Sequence, residues 1–72
     1  MPDIKYILGK NIQSARRDHH LTQVQLAVRA DISLTVLSSA EQGKQNLTID
    51  TVARIAHALE TSLPALLEEK RG

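Results

Sequence analysis

Apolar residues recur along this chain at the three- and four-residue spacing of α-helices, interrupted by short polar stretches. Ile4, Leu8, Ile12 and Ala15 form the first stripe, with Ile7 beside it. They predict a helix over about residues 4–18, with Asp3 as N-cap. Thr22 is the next N-cap, and Gln25 three residues on completes a capping box. Leu26 and Ala27 then give a second helix its apolar side, widened by Val24 or Val28. Asp31-Ile32 breaks the pattern, and Ser33 caps a third helix running to about Gln42. Gly43 is a stop signal, and Lys44-Gln45-Asn46 reads as a polar loop. Thr48 caps a fourth helix with a buried stripe of Ile49, Val52, Ile55, Ala56 and Leu59. Asp50 complements its dipole, and Arg54 and His57 face outward. Thr61-Ser62 caps a fifth helix that tolerates Pro64 in its first turn and carries Leu63, Leu66 and Leu67. Glu68-Glu69-Lys70-Arg71 reads as a solvated end.

The pattern predicts an all-α fold of five helices. Its expected core is Leu8, Ile12, Leu26, Ala27, Ile32, Val36, Leu37, Ala40, Val52, Ile55, Ala56 and Leu59. No segment alternates as a half-buried strand does.

The third helix sorts its residues unusually. At about 100° per residue, Val36, Leu37 and Ala40 share one side, while Thr35, Ser38, Ser39 and Gln42 share the other, with Leu34 on the flank. The outward face has no charge, and apart from Gln42 its side chains are short. Such a face suits close approach to another surface, and a nucleic-acid groove is one candidate.

Composition narrows the picture. Seventy-two residues bury about 60% of their unfolded surface, and Tyr6 is the one aromatic residue, so the core is aliphatic. There is no cysteine, which excludes disulfides and thiolate metal sites. His19 and His20 are adjacent and do not point the same way on a helix, and no third ligand has suitable spacing; no metal or cofactor is expected. No apolar run is long enough to span a membrane, and no signal-peptide core is present. A cytoplasmic protein is the expectation. Net charge is only +1; residues 1–36 hold five Lys/Arg against three Asp, and residues 37–72 hold four against five acidic residues. Any basic footprint is therefore local. No triad-like arrangement or phosphate-cradling glycine loop appears, so no enzyme is expected.

The run Leu8 to Arg16 (LGKNIQSAR), then LTQ and QLA within Leu21 to Ala27, Ile32-Ser33, Glu41-Gln42-Gly43-Lys44, and ARIAHAL over Ala53 to Leu59 resemble the Cro/phage-repressor-like (XRE-type) helix-turn-helix family. Each motif alone is common, while their joint order and spacing are specific and cover nearly the whole chain. The resemblance implies a compact five-helix bundle, a lambda-repressor-like DNA-binding domain occupying residues 1–72 as one domain. It implies that Arg16 pairs with Glu41 as a structural ion pair orienting two helices. It implies close packing at Gly9. The family usually has glycine at the places of His20, Asp31 and Glu60, which implies left-handed backbone there. It also implies that the loop after the third helix touches DNA phosphate.

Two function classes follow. The first is a sequence-specific DNA-binding transcriptional regulator, a repressor in type. The second helix would cross the duplex backbone and the third would enter the major groove. Leu34 and Thr35 would touch thymine methyls, and Ser38 and Ser39 would bond to base edges. Gln23, Gln42, Lys44, Gln45 and Asn46 would contact phosphates. No Arg, Lys or Asn precedes Gln42 on the exposed face, so DNA shape is expected to carry much of the specificity. One short reading helix binds weakly, so a homodimer on a pseudo-palindromic site is expected, with Leu63, Leu66 and Leu67 at its interface. The second class is an antitoxin-like or other protein-interaction module on the same fold, with a toxin or similar protein as partner.

Overall fold

The computed structural model describes residues 3–69; Lys70 and Arg71 of the charged end lie outside them. Five helices follow one another: α1 (Ile4–Asp18), α2 (Gln23–Ala30), α3 (Leu34–Glu41), α4 (Ile49–Ala58) and α5 (Leu63–Leu67). Among the described residues there is no strand. No helix there is long and apolar enough to cross a membrane.

Each helix begins at a side-chain cap. Asp3 accepts from the Lys5 N–H at 2.9 Å. Thr22 Oγ1 accepts from the Gln25 N–H at 3.1 Å, and Gln25 Oε1 returns the bond by accepting from the Thr22 N–H at 2.9 Å. The Ser33, Thr48 and Ser62 hydroxyl oxygens accept in the same way from the Val36, Thr51 and Ala65 N–H groups, without the return bond. A cap of this kind contributes about 1 kcal/mol, which matters for helices of five to ten residues that are marginal alone.

The ends are as regular as the starts. His20, Asp31 and Glu60 have φ of 57°, 56° and 56°, and Gly43 has φ of 74°. In each case the N–H of the left-handed residue bonds three residues back, and the next N–H bonds five back: His20 to Arg17 and Leu21 to Arg16, Asp31 to Val28 and Ile32 to Ala27, Gly43 to Ala40 and Lys44 to Ser39, Glu60 to His57 and Thr61 to Ala56. Four helices therefore finish in Schellman turns, three of them without glycine.

α1 packs on α3 and α5, α2 on α3 and α4, and α4 on α5. Ile12, Leu26, Leu37, Ile55, Leu59 and Leu66 are the largest fully buried side chains. Leu21, Ala30 and Leu66 join the core although the periodicity did not select them. Ile32 and Val36, expected inside, are half-buried. Four residues expected on apolar faces are corrected outright; Val24 and Val28, offered as widening that of α2, are 55% and 75% exposed. Ile4 is 53% exposed and Ile49 is 75% exposed. Each is the first residue of its helix, where the axis has not yet reached the core, so the correct face still points past the core's edge.

α1 and α3 approach closely at Gly9. A Cβ there would run into the carbonyl oxygen of Ala40. This contact accounts for a glycine inside a 15-residue helix, where it costs about 1 kcal/mol against alanine. It also fixes how α3 is carried on the bundle.

Candidate nucleic-acid interface

α3 turns an uncharged surface outward. Leu34, Thr35 and Gln42 are exposed, while Ser38 and Ser39 are half-buried on the flanks. Gln42 Nε2 donates to Ser38 Oγ at 3.3 Å, so the one long side chain of this face lies back along the helix. The exposed tip is thus formed by Leu34 and Thr35, at the N-terminal end. Their short side chains let a partner come close to the helix backbone.

The helix is held from behind by a buried charge network. Arg16 Nε donates to Glu41 Oε2 at 2.7 Å and Nη2 donates to Glu41 Oε1 at 3.0 Å. The remaining terminal nitrogen, Nη1, donates to the Leu21 carbonyl at 2.8 Å. The planar guanidinium suits this because its donors form a rigid fork matching a carboxylate. Glu41 is only 6% exposed. The hydrogen bond from Arg16 to Glu41, aided by the attraction of the opposite charges, holds the guanidinium pKa above its already high ordinary value against the opposing pull of burial. The pair thereby joins the end of α1, the α1–α2 connection and the end of α3. Among the described residues no buried side-chain polar atom lacks a partner.

Gln23 belongs to the same network. Its Nε2 donates to Glu41 Oε1 at 3.1 Å. The sequence led to a phosphate contact for this side chain; the buried carboxylate takes one of its two amide hydrogens. Gln23 remains the first residue of α2, and its backbone is at the helix N-terminus.

The loop after α3 is divided. Lys44 and Asn46 are exposed and Gln45 is half-buried, with Gln45 Nε2 donating to the Asn46 carbonyl at 3.4 Å. Gln45 and Asn46 border an open apolar groove of about 210 Å³, whose walls include Ile4, Leu47, Ile49, Leu63 and Leu67. Lys44 is not among the groove's lining residues.

The three leucines expected at a dimer interface separate. Leu66 is 2% exposed and belongs to the core, so its assignment to an interface is corrected. Leu63 is half-buried and packs against that core. Leu67, 39% exposed, stands out into the groove. In a five-residue helix the core takes one leucine fully and leaves its chain neighbour outside. His19 and His20 are exposed, and among the described residues no three His, Cys, Asp or Glu gather as a metal site would need.

Sequence reasoning missed two features. Ile4 and Ile49 are parts of the groove, hidden because they share spacing with true core positions. Asn11 is buried although polar. Its one sequence signal is a carboxamide standing between Leu8 and Ile12 in an apolar stripe.

A family model described as helix-turn-helix matches residues 12–66. The chain is 42% identical over 65 residues to the control protein C.SmaI of Serratia marcescens, covering 90% of this chain and 77% of that protein. It is 33% identical over 63 residues to the immunity repressor protein of Bacillus phage phi105, covering 88% of this chain and 44% of the repressor. Among solved structures, the clp gene regulator ClgR from Corynebacterium glutamicum superposes with a TM-score of 0.87 at 30% identity, over 92% of this chain and 85% of that one. The restriction-modification controller protein C.AhdI from Aeromonas hydrophila shares the fold, with a TM-score of 0.83 at 21% identity over 86% of this chain and 94% of that one.

Proposed function

The chain belongs to the Cro/C1-type helix-turn-helix family, and from that premise we propose that it is a DNA-binding transcriptional regulator that represses from an operator. The observation that carries the reading is α3 itself. It presents an uncharged face of short side chains, and Gly9 and the Arg16–Glu41–Gln23 network fix it from behind. A helix meant to be solvated has no need of such seating, whereas one that enters a groove must arrive at a fixed angle.

In this reading the roles divide by chemistry. Leu34 and Thr35 meet thymine methyls, and Ser38 and Ser39 offer hydroxyls to base edges from the flanks. Lys44 provides the charge against phosphate, with Gln42, Gln45 and Asn46 as neutral donors. Gln23 contributes through the free N–H groups of the α2 N-terminus and its remaining amide hydrogen. Few of these contacts discriminate bases strongly, so DNA shape supplies part of the specificity. The chain acts as one domain, in the cytoplasm, without a cofactor or chemistry of its own.

The working unit is a homodimer. One eight-residue helix gives little contact, and two copies on a two-fold axis place their reading helices about 34 Å apart, one duplex turn. The second copy docks on the groove lined by Ile4, Ile49 and Leu67, three of the exposed apolar residues. Lys5 lines the same groove and Glu68-Glu69 follow Leu67, so the edge carries both charges and a two-fold pairing can match them.

Selection of bound sites from random duplex DNA tests the reading. Enrichment of a pseudo-palindrome supports it. Retention of no duplex, combined with tight capture of a protein such as a toxin, would instead establish the interaction-module alternative.

A further inference from the structure

Asn11 is a buried amide that neither the reading face nor the ion-pair network uses. The residue is 5% exposed. Its Nδ2 donates to the Leu66 carbonyl at 2.8 Å and to the Glu68 carbonyl at 2.7 Å. Those two carbonyls lie on either side of Leu67, the leucine that stands out into the apolar groove. Leu66 is in the last turn of α5, whose closing carbonyls have no intrahelical partner. Glu68 is already extended, with φ −79° and ψ 129°. A carboxamide suits the position because one NH₂ group carries two N–H donors in a fixed fork. A carboxylate would turn only acceptors toward two carbonyls, and leucine would offer nothing.

We infer that Asn11 is a positioning residue for the dimer surface: it grips the backbone on both sides of Leu67 and thereby sets this side chain in the groove. The inference rests on the homodimer reading given above. α5 has only five residues, too few to hold its own shape, and its apolar anchors are Leu66, buried in the core, and Leu63, half-buried against it, both of them before Leu67. The polar anchor is the α1 amide. It ties the backbone at Leu66 and Glu68 to α1, the helix that supplies Ile4 and Leu8 to the groove. Core packing brings the two walls together, and the Asn11 amide adds the polar tie that fixes the backbone on either side of Leu67.

Sedimentation equilibrium on the full chain tests this, using wild type, Asn11→Leu, Asn11→Ser, Leu67→Ala and the double variant Asn11→Leu/Leu67→Ala. Asn11→Leu is expected to raise the dimer dissociation constant about ten-fold while the helical circular dichroism persists. Asn11→Ser, which keeps one donor, is expected to raise it less. In the Leu67→Ala background Asn11→Leu is expected to add little, because the clamp acts through Leu67; a merely structural role would leave the two effects additive. Should Asn11→Leu fail to fold, Asn11→Ser and its double variant with Leu67→Ala decide by the same coupling. A dimeric wild type whose constant the Asn11 variants do not move, or full additivity with Leu67→Ala, overturns the clamp and leaves the dimer standing. A wild-type chain that stays monomeric overturns both.

Discussion

Glu60 holds a left-handed backbone that its Cβ makes unfavourable. The conformation costs an L-residue about 1–2 kcal/mol, and glycine is free of that cost but loses more chain entropy on folding. Glu60→Gly is therefore expected to stabilise the domain by about 1 kcal/mol, raising its midpoint by several degrees in differential scanning calorimetry. An unchanged or lower midpoint would show that the strain is relieved elsewhere. Asp31 is expected to gain less from the same change, since Asp and His enter this region more readily. At Arg16 and Glu41 the sign is opposite. The side chains are 12% and 2% exposed, so removing either partner leaves the other charge poorly solvated. Arg16→Ala and Glu41→Ala are each expected to destabilise by about 3 kcal/mol in urea unfolding, and the double variant by less than their sum. Full additivity would mean that the two side chains act independently. Because the Arg16 pKa is raised, its contribution is complete below the unfolded value and is lost only as pH rises through the folded one. The Arg16 charge is thus expected to add no pH dependence to stability across the neutral and mildly alkaline range.

At the scale of elements, the proposed DNA-binding reading divides specificity and affinity between α3 and the loop that follows it. Thr35→Ala is expected to alter binding at particular base pairs, by about 1 kcal/mol where a methyl contact is lost. Lys44→Ala is expected to weaken binding to every duplex alike and to lower the salt slope by about one unit. Titration against a selected site and its single-base variants separates the two, and reversed behaviour would exchange their roles. The helices themselves were legible in the sequence because their signals are local. Thr22 with Gln25, and Ser33, Thr48 and Ser62, name the starts within four residues of the bonds they make. Depth was less legible than direction. Ile4 and Ile49 have core spacing but stand at first turns, beyond the core's edge, and Leu66 and Leu67 lie in a helix too short for a period to separate them. Gln23 and Asn11 make bonds that were missed for a different reason. Their partners are 18 and 55 residues away, and no spacing rule on one helix reports a bond to another.

At the scale of the whole molecule, neighbouring leucines distinguish the core from the groove. Leu66→Ala is expected to destabilise the fold by about 2–5 kcal/mol, as a cavity in a small core does. Leu67→Glu is expected to leave a folded, soluble chain that sediments as a monomer. If Leu67→Glu unfolded the protein instead, the groove would be part of the monomer's own core. The net charge of +1 means that DNA affinity cannot come from a general positive field. In the proposed homodimer it comes from a few placed contacts, doubled by symmetry. The most direct measurement is the salt dependence of binding to a duplex selected from random sequence, read together with stoichiometry. A two-fold dimer on its operator is expected to give two chains per duplex on half-sites about one helical turn apart, with the logarithm of affinity falling linearly as the logarithm of salt rises. One chain per duplex, or an affinity no greater than for a scrambled duplex of equal length, would contradict it.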